Sequence, residues 1–303
     1  MSTRTPSEIV VAWIGTGVMG QSMAGHLQKA GYRLVDNRTK SKAERLIANG
    51  ARWADSPGDA AAGADAIFTI VGFPKDVREV YLGAGGIVER AKPGAILCDM
   101  TTSEPSLAVE IAQAAEKKGL LALDAPVSGG DIGAREARLS IMVGGSEEAF
   151  QAAMPFFRLM GQSIALQGGP GAGQHTKMAN QIVIASALVG VAEALHYIKR
   201  AGLDAEKVLQ CIGGGAASSW TLSNLGPRML KGDFEPGFYV RHFIKDMSIA
   251  LAEAERMGLR TPGLALTRLL YDKVVEMGME YKGTQALYLA MEDAPALETL
   301  RSE

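Results

Sequence analysis

IVVAWIGTGVMGQSMAGHLQKAGYRLVDNRT, residues 9–39, decides the fold. Residues 9–15 are a short apolar run rich in β-branched side chains and predict a strand. Gly15, Gly17 and Gly20 follow in G-x-G-x-x-G spacing, with Val18 and Met19 between the last two. A helix-forming segment then runs to Gly31, a natural C-cap, and residues 32–37 predict a second strand. Strand, glycine loop, helix and strand make a βαβ unit, the context in which this spacing binds dinucleotides. Gly15 permits the tight turn, Gly17 lets backbone approach a pyrophosphate, and Gly20 lets the helix pack on the strand. The helix N-terminus then offers free N–H groups and the positive end of its dipole to the phosphates.

The end of the second strand bears on the choice of dinucleotide. Asp36 is followed by Asn37, Arg38 and Thr39. If Asp36 faces the ribose, its carboxylate takes the hydroxyls and NAD is favoured. If Asn37 does, Arg38 and Thr39 can hold a 2′-phosphate, for which a guanidinium has the right planar fork. NADP is the preferred expectation and NAD the alternative.

Outward from this unit the alternation continues. Strands are predicted at 65–72, 95–100, 120–127 and 138–145, with helices at 40–50, 74–83, 106–119 and 147–160. Such alternation implies a mostly parallel, doubly wound sheet. It stops near residue 168. Beyond 171 the chain reads as helix: 173–201, 205–214, 219–232, 243–258 and 262–278, with a fraying tail from Asp293. The expected fold class is therefore an α/β Rossmann-type sheet followed by an all-α C-terminal domain. The boundaries are residues 1–168 for NAD(P) binding and 169–303 for substrate binding and dimerisation.

Composition narrows the function classes. The 303 residues carry a formal net charge of −2, so no basic surface points to nucleic acid. Two distant cysteines, Cys98 and Cys211, form neither a disulfide framework nor a metal spacing, and a reduced, cytoplasmic setting is expected. His26, His175, His196 and His242 lack ligand-spaced partners, so no metal is expected. The N-terminus has no apolar signal core. The run IVIASALVGVAEALHY reads as a buried helix, too short for a membrane span because Glu193 and His196 interrupt it.

GPGAGQHTKMANQ, residues 169–181, opens that helix and carries Lys177 and Asn180 three residues apart, hence on one face. A lysine can take a hydroxyl proton, or return it, if its pKa falls toward neutrality. The helix dipole and an apolar surround push it that way. Lys245 adds repulsion if close, and Asp246 pushes back. A solvated first-turn lysine is the alternative reading of these residues alone. Ser128, Gly129 and Gly130, after a strand, form a plausible carboxylate nest. Thr102 and Ser103 can also serve as a helix N-cap ahead of Pro105.

Together IGTGVMG (14–20), NRT (37–39), TTSEP (101–105), DAPVSGGDIGA (124–134), GAGQHTKMANQ (171–181) and FIKD (243–246) resemble the β-hydroxyacid dehydrogenase family over nearly the whole chain. The resemblance implies a Rossmann domain joined by a long helix to a helical domain, with the active site in the cleft between them. It implies oxidation of a β-hydroxy acid to its semialdehyde, or the reverse, with NAD or NADP and no metal. Carried over, Lys177 is the catalytic lysine, Asn180 orients it, and Ser128, Gly129 and Gly130 bind the substrate carboxylate. Thr102 lines the nicotinamide end, Val71 joins the cofactor residues, Lys245 reaches the cofactor, and Asp246 supports the lysine. The family implies a homodimer or homotetramer acting on a small molecule. Glu136-Ala137-Arg138-Leu139 and Gln181 depart from the usual family pattern. The second departure changes a hydrogen bond beside the lysine.

Rival readings are a short 6-phosphogluconate dehydrogenase-like enzyme, which lacks a histidine near Lys177–Asn180 here, and an imine reductase-like enzyme, which typically lacks the lysine. A non-catalytic NADP-binding sensor is the reading of another class. Arg241 or His242 could meet a second substrate carboxylate.

Overall fold

A computed structural model describes residues 4–292; the expected fraying from Asp293 lies outside them. The contact pattern divides the chain into two units, 1–177 and 178–303.

The first unit is a nine-stranded sheet. Its strands are β1 Val10–Ile14, β2 Arg33–Asn37, β3 Arg52–Trp53, β4 Ala66–Thr69, β5 Ile96–Asp99, β6 Leu121–Asp124, β7 Val127–Ser128, β8 Leu139–Gly145 and β9 Gly161–Gly168. The order is β3-β2-β1-β4-β5-β6-β8-β7, with β9 pairing β8. β3 through β6 are parallel. β6 and β7 pair β8 antiparallel, and β8 and β9 run parallel. The helices of this unit are α1 Gly20–Lys29, α2 Lys40–Ala48, α3 Pro57–Ala61, α4 Pro74–Leu82, α5 Ile87–Arg90, α6 Pro105–Glu116, α7 Gly130–Arg135 and α8 Glu147–Phe157.

Alternation along the strands explains the double winding. Val11 and Trp13 of β1, with Phe68 of β4 and Cys98 of β5, belong to a core that takes Met23 and Leu27 from α1 and Phe156 and Phe157 from α8. Ala12 and Ile14, with Ile67 and Leu97, belong to another core that takes Val77 and Tyr81 from α4 and Leu107 and Ile111 from α6. Successive side chains point to opposite faces, and both faces are apolar, so both must be covered.

Three strands were not legible. β3 has two residues. The sequence predicts one run over 120–127, but Pro126 carries no N–H and separates β7 from β6. β9 had no predicted counterpart, because most of its residues are exposed or half-buried. An edge strand of that kind lacks the alternation that marks a buried one.

α9, Ala172–Arg200, leads from the first unit into the second. The second unit continues with α10 Ala205–Gly213, a π-helical stretch Thr221–Leu225, α11 Gly226–Leu230, α12 Val240–Arg256, α13 Pro262–Glu276 and α14 Leu287–Ala290. By length and composition α9 would suffice to cross a membrane, so the reading that it is too short needs correcting. Its inward residues Ala185, Leu188, Ala192 and Leu195 belong to the second unit's core, with Phe243 and Met247 of α12 and Tyr271 of α13. Among the described residues the only extended pairing in this unit is an isolated bridge between Tyr239 and Gly283.

Candidate active site

The glycine loop is built as its spacing requires. Gly15 has φ 106°, and a Cβ there would overlap the Ile70 carbonyl. A Cβ on Gly20 would overlap the Gly15 carbonyl oxygen and lie 2.8 Å from Ile70 Cγ2. That oxygen also accepts the Trp13 indole N–H at 3.0 Å, which pins the turn to the core. At Gly17 an added Cβ meets nothing within 4 Å, so this face of the loop is open. The N–H groups of Val18, Met19 and Gly20 have no acceptor among the described residues, and Met19 supplies no side-chain cap. The buried Thr16 hydroxyl likewise has no partner. Free donors at a helix N-terminus beside an open glycine face suit a pyrophosphate.

Asn37 lies against the same loop, its carbonyl accepting the Gly15 N–H at 3.1 Å. Its side-chain amide donates to the Ala54 carbonyl at 2.8 Å. Arg38 follows with φ 119° and pairs with Asp76 on α4 at 2.8 Å. Thr39 is the N-cap of α2. Asp36 is fully buried, with neither carboxylate oxygen hydrogen-bonded. Burial pushes its carboxyl up to about 7. Asn37 is buried as well, at 4% exposure, whereas Arg38 and Thr39 are exposed.

The ends of β4, β5 and β6 form the next layer. The Thr69 hydroxyl donates to Asp99 Oδ1 at 2.7 Å, and Thr101 N–H donates to the same oxygen at 3.0 Å. Thr101 Oγ1 accepts the Val71 N–H at 3.0 Å. Burial raises Asp99 to about 6, against the donors that hold its charge. Asp124 at the end of β6 accepts N–H from Gly171 on Oδ1 and from Gln174 on Oδ2, each at 2.8 Å. It thereby satisfies orphan donors at the start of α9. Burial raises its pKa as well.

Gln174 is fully buried and clamps the loop after β5. Its Oε1 accepts Ser103 N–H at 2.9 Å and its Nε2 donates to the Thr101 carbonyl at 2.7 Å. A Cβ on Gly173 would overlap the Met142 carbonyl, and one on Gly144 would lie 2.7 Å from Gly173 N. The first turn of α9 therefore sits directly on the backbone of β8 and β6. Lys177, in the next turn, is 6% exposed. His175, two residues earlier, is exposed. Ser128 pairs Ser140 across β7 and β8. Gly129 and Gly130 follow with φ 130° and 63°, conformations that glycine adopts without strain. Thr102 is half-buried.

In the second unit a linear network runs through α9 and α12. Lys245 Nζ lies 3.0 Å from Asp246 Oδ1. Asp246 Oδ2 accepts from Gln181 Nε2 at 2.6 Å, and Gln181 Oε1 accepts from Asn180 Nδ2 at 2.7 Å. A carboxylate beside a lysine only accepts, so Gln181 must turn its NH2 toward Asp246 and its oxygen toward Asn180. Asn180 must then use its nitrogen, which leaves its Oδ1 as the acceptor it presents elsewhere. The Gln181 departure is thus an added link between Asn180 and Asp246. Arg241 lies 5.2 Å from the Tyr281 ring centroid and donates to its hydroxyl at 3.2 Å. Burial, with Lys245 and Arg241 nearby, lowers His242 to about 4. Among the described residues no cluster of His, Cys, Asp or Glu could hold a metal.

Residues 10–169 match the NAD-binding domain of 6-phosphogluconate dehydrogenase, and 171–291 match the NAD-binding domain of NADP-dependent 3-hydroxyisobutyrate dehydrogenase. The chain is 59% identical to an uncharacterized oxidoreductase, YkwC, of Bacillus subtilis, over 92% of this chain and 97% of the relative. The chain belongs to the β-hydroxyacid dehydrogenase family. It is 53% identical to the probable 3-hydroxyisobutyrate dehydrogenase-like 1, mitochondrial, of Arabidopsis thaliana, over 95% of this chain and 86% of the relative. A crystal structure of Mycobacterium tuberculosis 3-hydroxyisobutyrate dehydrogenase with L-serine is similar at TM-score 0.84 and 29% identity, covering 93% of this chain and 99% of that one. This family member is an NAD(P)-dependent oxidoreductase, a hydroxyacid dehydrogenase on a Rossmann-type sheet with a helical C-terminal region.

Asp124 and Gln174 lie inside stretches that resemble the family, yet carry no role in the sequence reading; Gln181 enters it only as a departure that changes a hydrogen bond beside the lysine. Asp124 and Gln174 act across long loops, 47 to 73 residues from their partners. A buried Asp and Gln among glycines were the available signal.

Proposed function

We propose that this chain oxidises a 3-hydroxy acid to its semialdehyde, or reduces the semialdehyde, with Lys177 as general base or acid. The observation that carries the reading is a lysine withdrawn from water on a helix start seated by Asp124 and Gln174. In oxidation the neutral amine accepts the hydroxyl proton; in reduction the ammonium returns it. NAD(P), when bound, supplies or takes the hydride. Ser128 and the N–H groups of Gly129 and Gly130 would hold the substrate carboxylate, and Thr102 would line the reacting end. Asn180 would orient the lysine and substrate through its amide oxygen, with Asp246 and Lys245 supporting.

Gly15, Gly17, Val18, Met19 and Gly20 would carry the pyrophosphate, with Val71 beside them. Asn37, Arg38 and Thr39 would take the adenosine end, with NADP preferred. A cytoplasmic homodimer or homotetramer fits the reading, with free Cys98 and Cys211 in a reducing setting.

The test follows NADPH and NADH consumption with succinic, tartronate and methylmalonate semialdehydes and glyoxylate, and the reverse reaction with L-serine and 3-hydroxyisobutyrate. Lys177→Ala is expected to lose at least about 10³-fold in kcat while binding NADPH normally, consistent with loss of an acid–base group. Retained turnover in that variant would assign the proton to another group. Cofactor binding without turnover in either protein would favour a sensor.

A further inference from the structure

The pair at the end of β2 reaches past the family reading. Asp76 is the third residue of α4, and its Oδ2 accepts the Phe73 N–H at 3.0 Å while its Oδ1 takes Arg38 Nη2 at 2.8 Å. The carboxylate is therefore fixed at both oxygens by its own helix start and by Arg38. The arginine reaches to it across 38 residues of chain from a backbone conformation that L residues rarely adopt. The two side chains are 34% and 18% exposed, so the pair stands at the surface, where a ligand can meet it.

We propose that Asp76 is a specificity-determining residue, a fixed counter-charge on Arg38 that weakens this chain's preference for NADPH over NADH. The inference rests on the reading that Arg38 faces the 2′ position. A phosphate monoester carries between about −1.5 and −2 charges near neutral pH. It would meet an arginine with one donor already spent and with a full negative charge beside it. NADH presents a neutral hydroxyl there and is indifferent to that charge. One unit charge several ångströms from a phosphate in a partly screened site changes affinity by roughly three- to tenfold.

The experiment measures Kd for NADPH and NADH by nicotinamide fluorescence on the full chain, for wild type, Asp76→Asn, Asp76→Ser and Arg38→Ala. Both Asp76 substitutions keep a capping oxygen for α4, so one serves if the other misfolds. Asp76→Asn is expected to tighten NADPH about fivefold, to leave NADH within about twofold, and to lose most of that gain in high salt. An NADPH Kd that is unchanged or weaker overturns the proposal; a weaker one means that Asp76 serves to orient the arginine. Arg38→Ala separates the layers. If it weakens NADPH but Asp76→Asn does not tighten it, only the counter-charge idea falls. If it changes neither cofactor, Arg38 does not face the 2′ position, and both readings fall.

Discussion

Gln181 is 1% exposed and fixes which end of the Asn180 amide is presented. Gln181→Met keeps the volume but removes both hydrogen bonds and leaves Asp246 short of a donor. The expected cost is about 1–3 kcal/mol of stability, with kcat lowered roughly tenfold and the NADPH Kd unchanged. Gln181→Glu should fare worse, since it sets a carboxylate against Asp246. Steady-state kinetics that match wild type would show that the orientation of Asn180 does not matter.

Asp36 makes a separate prediction about pH. Its carboxyl is raised to about 7 by burial, so between about pH 4 and 7 the folded chain holds a proton that the unfolded chain has released. Stability attributable to this group falls as pH rises through that window and is level above it. Asp36→Asn stays neutral throughout. Its melting temperature relative to wild type should climb from pH 5 to pH 8 by the equivalent of about 2–3 kcal/mol. Asp99, raised to about 6, titrates in both proteins and cancels in the difference. A constant difference across the range would mean that Asp36 is ionised in the folded chain.

At the scale of elements, α1 shows how one helix can hold two glycines for unlike reasons. Gly20 faces the Gly15 carbonyl, and a methyl there has nowhere to go. Gly25 would place a Cβ 3.6 Å from Arg45 Nη2, an ordinary contact. Gly25→Ala should therefore gain about 0.5–1 kcal/mol from helix propensity with NADPH affinity intact. Gly20→Ala should cost about 1–3 kcal/mol by overpacking and abolish detectable NADPH binding. Thermal unfolding and cofactor titration on the two variants check both. The glycine loop and the strand alternation were legible because each depends on neighbours a few residues apart. β9 and β7 were not, since an exposed edge and a proline-broken run erase the periodic signal.

For the whole molecule, the exposed apolar surface of the second unit is the feature to explain. Val183 and Tyr197 on α9 are 69% and 74% exposed and lie fourteen residues apart, hence near one face of the helix. Trp220 and Leu269 are 62% and 55% exposed. Exposed apolar groups in this number favour a subunit contact. Sedimentation of the wild type should show a dimer or tetramer, and Val183→Lys with Tyr197→Glu should shift it toward monomer without loss of helicity. A monomeric wild type at micromolar concentration would remove the oligomer from the reading.

The amino-acid order alone determined the βαβ start, the doubly wound class and the helical second half, while the role of Lys177 is what the family resemblance implies. The first three follow from apolar period, glycine conformation and capping, all of which act within a turn or a strand. Tertiary structure alone decided that Asp36 is closed off, that Asp76 holds Arg38, that Gln174 clamps the Thr101–Ser103 loop, and that Asp246 holds the Gln181 amide that meets Asn180. Each of these joins positions far apart in the chain or turns on burial, and neither leaves a mark in local periodicity.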